Sequence, residues 1–188
     1  MRYVHYLLLA AVFASLQGCP AVIATGVGTG ALMASDRRTT GAYIEDEGIE
    51  NKALGQINAK FKNATHINVT SFNRHVLITG EVPNEETRTE VGRLAAGVQN
   101  VKAVSNELTI SGATGITSRS SDSIITADVK LRFLNNKAFQ ADHVKVITEN
   151  GTVFLMGLVY RKEATAAAEI ASTTGGVLRV VKVFEYLD

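Results

Sequence analysis

The chain has 188 residues, 46% of them apolar and 20% charged, with 19 basic and 18 acidic side chains. That balance excludes a disordered tail and a polytopic membrane protein, and it argues against a bulk nucleic-acid binder, which carries a basic surplus. The single cysteine excludes an internal disulfide framework and a cysteine-rich zinc site.

Arg2 and His5 precede the apolar run Leu7 to Ala14. The run is shorter than the roughly 20 residues that span a bilayer, and a basic start before a short apolar core reads as a secretory signal. Leu16-Gln17-Gly18-Cys19 resembles a bacterial lipobox. The resemblance implies cleavage after residue 18 and acylation of Cys19, with several acyl chains acting as a firm anchor. Pro20 stands where an inner-membrane retention signal would place aspartate, which implies the outer membrane, on its periplasmic face. Cleavage removes Arg2 and leaves 18 basic and 18 acidic residues. Residues 19–43, with Gly26, Gly28, Gly30 and Gly41, read as a flexible tether.

The remainder is an internal repeat. At an offset of 77, His66, Asn73, Val76, Gly80 and Val82 meet His143, Asn150, Val153, Gly157 and Val159. At an offset of 76, Ile49, Ala53 and Ile57 meet Ile125, Val129 and Phe133, and Val101 and Val104 meet Val177 and Val180. Two units follow, at 44–110 and 119–188, joined by a Ser/Thr/Gly-rich linker at 111–118. Each opens with a helix whose apolar residues recur four apart. A strand comes next, at Ile67–Val69 or Val144–Ile147, then a turn and a second strand, Val76–Gly80 or Val153–Gly157. Asn150-Gly151 suits a two-residue hairpin turn because both positions tolerate positive φ. A second helix is predicted near 84–97 and 161–174, the first opening with Glu85 and Glu86, and a third strand near 101–110 and 177–187. The fold class is α+β, each unit running α-β-β-α-β with two helices on one face of a three-stranded sheet.

That order, the glycine ending the second strand and the Val-x-x-Val opening of the third resemble the BON domain, a bacterial envelope module. The resemblance covers about 137 residues in two copies. It is carried most clearly by Thr148 to Val159 and by Ile67-Asn68-Val69-Thr70.

The two units differ on their first helices. In the second unit Ile125, Val129 and Phe133 fall within about 80° of one another on a helical wheel, which makes a core stripe. Ile124, Ala127, Leu131, Leu134 and Ala138 form a second stripe nearly opposite, flanked by Lys130 and Lys137, with Asp128 near its edge. The aligned positions in the first unit are Gly48, Asn51, Gly55 and Asn58. A helix apolar on two sides is buried or binds something. The stripe either enters the acyl boundary of a bilayer, with the lysines at headgroup level, or packs against the first unit or the tether. In lipoproteins with two BON domains the first helix of the second domain binds anionic phospholipid. The resemblance therefore implies a phospholipid-binding set of Ile124, Ala127, Lys130, Leu131, Leu134 and Lys137, with phosphatidylglycerol or cardiolipin as ligand. Ile124 stands where those proteins carry tryptophan. The charges point the same way: nine acids and seven bases in the first unit, eight acids and nine bases in the second. The competing reading is an adaptor whose same face docks an outer-membrane assembly or division protein. A glycan binder has no aromatic platform to support it.

Catalysis, cofactor and metal are not expected. The chain lacks G-x-S-x-G, H-E-x-x-H and a P-loop, and acylation would remove the only thiol. His66 and His143 occupy equivalent strand starts and read as structural, while His75 lies in a turn. Gly80 and Gly157 read as strand ends or points of close backbone approach.

Overall fold

A computed structural model describes residues 36–61, 66–111 and 116–188. The expected signal, Cys19 and most of the expected tether lie outside them. The first unit contains α1 (Thr40–Phe61), β1 (His66–Phe72), β2 (His75–Val82), α2 (Glu85–Ala96), β3 (Ala103–Asn106) and β4 (Thr109–Ile110). The second contains α3 (Ile116–Leu134), β5 (Val144–Glu149), β6 (Thr152–Val159), α4 (Arg161–Ser172) and β7 (Arg179–Tyr186). In both, the hairpin strands are antiparallel and the last strand returns parallel to the middle one.

Strand alternation sends successive side chains to opposite faces. Val76, Ile78 and Val82 of β2 meet Ile49, Ala53 and Ile57 of α1 and Val91 and Ala95 of α2. Val153, Leu155 and Val159 of β6 meet Ile125, Val129 and Phe133 of α3 and Ala164, Ala167 and Ala171 of α4. The other faces of the two sheets meet each other. Phe72 and Leu77 pack with Phe154, Met156, Leu158 and Val183 in one apolar cluster. That pairing explains why β6 is an apolar run from Val153 to Val159 and why β2 is buried from Val76 to Val82 even at Thr79 and Glu81, since strands covered on both faces have no solvent side.

Polar groups rim this sheet-to-sheet contact. Asn150 Nδ2 donates to Glu81 at 2.7 Å, Asn68 Nδ2 to Glu149 at 2.9 Å, and Lys145 Nζ to Glu50 at 3.2 Å. Burial holds the Glu149 carboxyl above its ordinary value, and the Asn68 hydrogen bond opposes that.

The hairpin strands run longer than the sequence reading placed them, and three further features differ from it. Helix α1 opens at Thr40, and α3 opens at Ile116 within the expected linker. The third strand of the first unit is not continuous. Gly80 has φ of 117°, and Thr109 Oγ1 donates to its carbonyl at 3.0 Å, so the ladder with β2 breaks between β3 and β4. Its counterpart Gly157 has no positive φ, and β7 pairs with β6 over all eight residues. Both glycines lie against the preceding strand. An added Cβ would sit 2.0 Å from the His66 carbonyl oxygen at Gly80 and 2.3 Å from that of His143 at Gly157. They mark close backbone approach and not strand ends, since β2 and β6 run on past them to Val82 and Val159.

The end of the expected tether is also bound. Arg37 donates to both oxygens of Glu163 at 2.6 and 2.8 Å and to the Leu158 carbonyl at 2.9 Å. Arg38 pairs with Asp46 at 2.9 Å and lies 3.9 Å from the Phe72 ring centroid. Adjacent arginines therefore grip one unit each.

Each first helix holds its own hairpin through one buried aspartate. Asp122 accepts from the backbone N–H of Asn150 and of Gly151, both at 2.8 Å. Asp46 accepts from Asn73 at 2.8 Å and Arg74 at 2.7 Å. All four turn residues have positive φ, as a two-residue hairpin turn of this kind requires. Removing Asp122 leaves two amides in a tight turn without their charged acceptor. Asp122→Ala should cost about 2–4 kcal/mol in urea denaturation. The Arg37 guanidinium holds the Glu163 carboxyl below its ordinary value of 4.5. A depressed acid stabilises the fold above its unfolded pKa and loses that contribution as pH falls through its folded pKa. The stability deficit of Arg37→Ala should therefore be full at pH 7 and shrink as pH drops below 4.5, read as melting temperature against pH.

Candidate functional site

Helix α3 carries the site expected from sequence, and its inner face is fixed at four places. Ile125, Val129 and Phe133 are buried, and Phe133 meets the Phe139 ring edge-on at 5.0 Å. Asp122 holds the hairpin turn, as above. Thr126 Oγ1 donates to Thr148 Oγ1 at 2.7 Å, tying the helix to β5. Arg132 reaches the C-terminal end of α4, donating to the Ile170 carbonyl at 2.9 Å and to the hydroxyls of Thr174 and Thr173 at 2.7 and 3.0 Å. A cation at that end of a helix also meets the negative pole of its dipole.

Among the described residues the outer face has no such partners. Ile124, Leu131 and Leu134 are 63, 58 and 68% exposed, and Ala127, Lys130 and Asp128 are exposed beside them. The first unit meets the second through the sheet faces, not through this stripe. Large apolar side chains kept in water on a rigid helix are the kind of patch that marks a contact surface. On α1 the aligned positions are small or polar: Asn51, Gly55 and Asn58 are exposed and Gly48 is half-buried. The two first helices bury apolar residues at equivalent inner positions and differ in chemical character on the outer face.

Two predicted members of the stripe are placed differently. Helix α3 ends at Leu134, so Lys137 and Ala138 lie in the following loop and helical spacing does not apply to them. The cause is Asn135-Asn136. Asn135 Nδ2 bonds back to the Leu131 carbonyl at 3.0 Å, and Asn136 Oδ1 accepts from the amides of Ala138 and Phe139 at 2.7 and 3.1 Å. Lys137 remains exposed just past the end of the helix. No helix among the described residues is long and apolar enough to cross a membrane.

His66 opens β1 as expected, His75 opens β2 and does not lie in the turn, and His143 ends a short 3-10 turn just before β5. His143 is buried 3.9 Å from Glu163, and His66 lies 3.8 Å from Glu149. His75 Nε2 is 2.9 Å from Ser105 Oγ, and burial holds its pKa below the ordinary value. Sequence reasoning missed the Arg37–Glu163 and Arg38–Asp46 clasps and the pairing of the sheets. The uninterrupted apolar run of β6, Val153 to Val159, was the available signal for the pairing. The arginines carried none, because their acceptors are distant in sequence.

Comparison with known proteins agrees with this architecture. The BON domain family matches residues 45–112 and 121–188. The chain is 43% identical over 190 residues to the outer membrane lipoprotein DolP of Haemophilus influenzae, an alignment covering 100% of this chain and 97% of that protein. It is 37% identical to the 21 kDa hemolysin of Actinobacillus pleuropneumoniae, over 81% of this chain and 80% of that one. It is 28% identical to the osmotically-inducible protein Y of Escherichia coli, over 83% and 80%. Two family matches, each lying over one α-β-β-α-β unit, and a full-length relative place this chain in the BON domain family.

Proposed function

We propose that this protein is an outer-membrane lipoprotein, anchored through acylated Cys19 and facing the periplasm, that binds anionic phospholipid through the outer face of α3. Phosphatidylglycerol and cardiolipin are the ligand class, and the role is non-enzymatic support of envelope integrity, including at the division site. The observation that carries the reading is the exposed set Ile124, Leu131 and Leu134 on a helix whose other face is immobilised. Full-length similarity to an outer membrane lipoprotein supports the location.

The energetics fit a two-point attachment. Burying a large aliphatic side chain contributes about 1.5–3 kcal/mol, and these three are already partly covered, so insertion supplies roughly 3–5 kcal/mol. Lys130 and Lys137 near an anionic surface add about 1 kcal/mol each. Such a sum gives weak, lipid-dependent binding by itself. It becomes effective when an acyl anchor raises the local concentration of the site at the membrane. Ala127 leaves the surface between Ile124 and Leu131 shallow, so the helix can lie flat.

An acyl-free chain starting at residue 20 should bind phosphatidylglycerol vesicles and ignore phosphatidylcholine vesicles in a flotation assay. Leu134→Glu should weaken that binding about tenfold or more, since about 1.4 kcal/mol is a factor of ten. No binding to anionic vesicles, or no effect of Leu134→Glu, overturns the lipid reading. Loss of an outer-membrane protein partner in the same variant would then favour the adaptor. In cells, radiolabelled palmitate should enter the wild type and not Cys19→Ala; equal labelling of both removes the anchor.

A further inference from the structure

The sheet-to-sheet contact brings together three side chains that the proposed lipid site does not use. His66 opens β1 and Glu81 lies near the end of β2, directly opposite each other in the antiparallel ladder, so both project from the same face. Glu149 closes β5 in the other unit and faces them. One donor atom from each of the three lies within 4.8 Å of the other two. Glu81 is 1% exposed and Glu149 8%, so two carboxylates and an imidazole share a largely dry position between the units.

We propose that His66, Glu81 and Glu149 form a zinc site bridging the two BON domains. The donor set is one nitrogen and two carboxylate oxygens, which suits zinc better than magnesium or calcium, whose sites are built from oxygen alone. Zinc bonds to such ligands are about 2.0–2.2 Å long, which puts neighbouring ligands of a tetrahedral ion roughly 3.4 Å apart. His66 Nε2 and Glu149 Oε1 are 3.8 Å apart, so closure asks for side-chain adjustments of an ångström or less between them. The carboxylates are already oriented by neighbours, as metal ligands usually are. Asn150 holds Glu81, and Asn68 and Thr79 donate to Oε2 of Glu149 at 2.9 and 3.4 Å. A cavity of about 210 Å³ adjoins His66 and Glu149 and is lined also by Asn68, Asp122 and Thr148, which gives entry and room for a water as the fourth ligand. Arg119 lines the same cavity and its charge works against a cation. The carboxylates of Glu81, Glu149 and Asp122 outnumber it, so the summed charge around the ion still favours a cation.

The expectation of no metal rested on the single cysteine and the missing H-E-x-x-H motif, and ligands scattered over 84 positions in different repeats form no motif of that kind. Neither repeat holds the site alone. His143, the counterpart of His66, faces Glu163 instead.

The test uses the full mature lipoprotein in detergent micelles, stripped with chelator and titrated with zinc chloride by calorimetry. One equivalent should bind per chain and raise the melting temperature, with magnesium chloride producing neither effect. His66→Ala and Glu149→Gln should each lower zinc affinity about tenfold or more. Since either variant could perturb folding, the imidazole resonances of the wild type give a second readout: zinc should shift those of His66 and leave those of His75 and His143 in place. Zinc binding of unchanged affinity in both variants, no saturable binding, or a His66 ring unmoved at saturating zinc overturns the proposal.

Discussion

A buried aspartate on the first helix of each unit is the interaction on which the rest is assembled. Asp46 and Asp122 each accept two amide protons from a turn whose residues all have positive φ. Such a turn presents its N–H groups together on one side, and a carboxylate is the one small group able to accept both with charge assistance. This single contact fixes how far along the sheet the helix lies and which way it is rotated. With Asp122 turned inward, Ile125, Val129 and Phe133 must follow it into the core at helical spacing, and Ile124, Leu131 and Leu134 must face out. The exposure of the outer face of α3 is therefore a consequence of a hydrogen bond on the opposite side of the helix.

The second organising feature is that each sheet has two apolar faces. One takes its own helices and the other takes the sheet of the sister unit. Packing sheet against sheet spends the apolar strands on the domain contact and leaves the helices outward. The arginine pair at 37 and 38 adds to this arrangement, since it ties the chain entering α1 to both units before the first helix begins.

Much of this was legible from residue order. The repeat offsets of 76 and 77 located both domains, and the four-residue recurrence at Ile49, Ala53 and Ile57 and at Ile125, Val129 and Phe133 named residues that are 0–7% exposed. Asn150-Gly151 announced its turn. The same patterning misplaced Lys137 and Ala138, because a wheel continues for as long as it is drawn and does not know that Asn135 and Asn136 hydrogen-bond the helix to a stop. The interruption between β3 and β4 was hidden for a related reason. Gly80 and Gly157 look alike in sequence, and only the backbone shows that one has positive φ and the other does not.

Local and periodic information decided the secondary structure, the two inner cores and the asymmetry between Gly48, Asn51, Gly55 and Asn58 on one helix and Ile124, Ala127, Leu131 and Leu134 on the other. These depend on neighbours within a turn or two, where spacing alone sets geometry. Which surface met which was decided only in three dimensions. The outer stripe of α3 and the outer faces of β2 and β6 all offer apolar side chains, and sequence does not say which of them pair and which stay in water. The sheets fit each other because flat, twisted apolar faces bury more area together than a narrow helical stripe can. That choice left the stripe exposed, and it carried His66 and Glu81 across to Glu149.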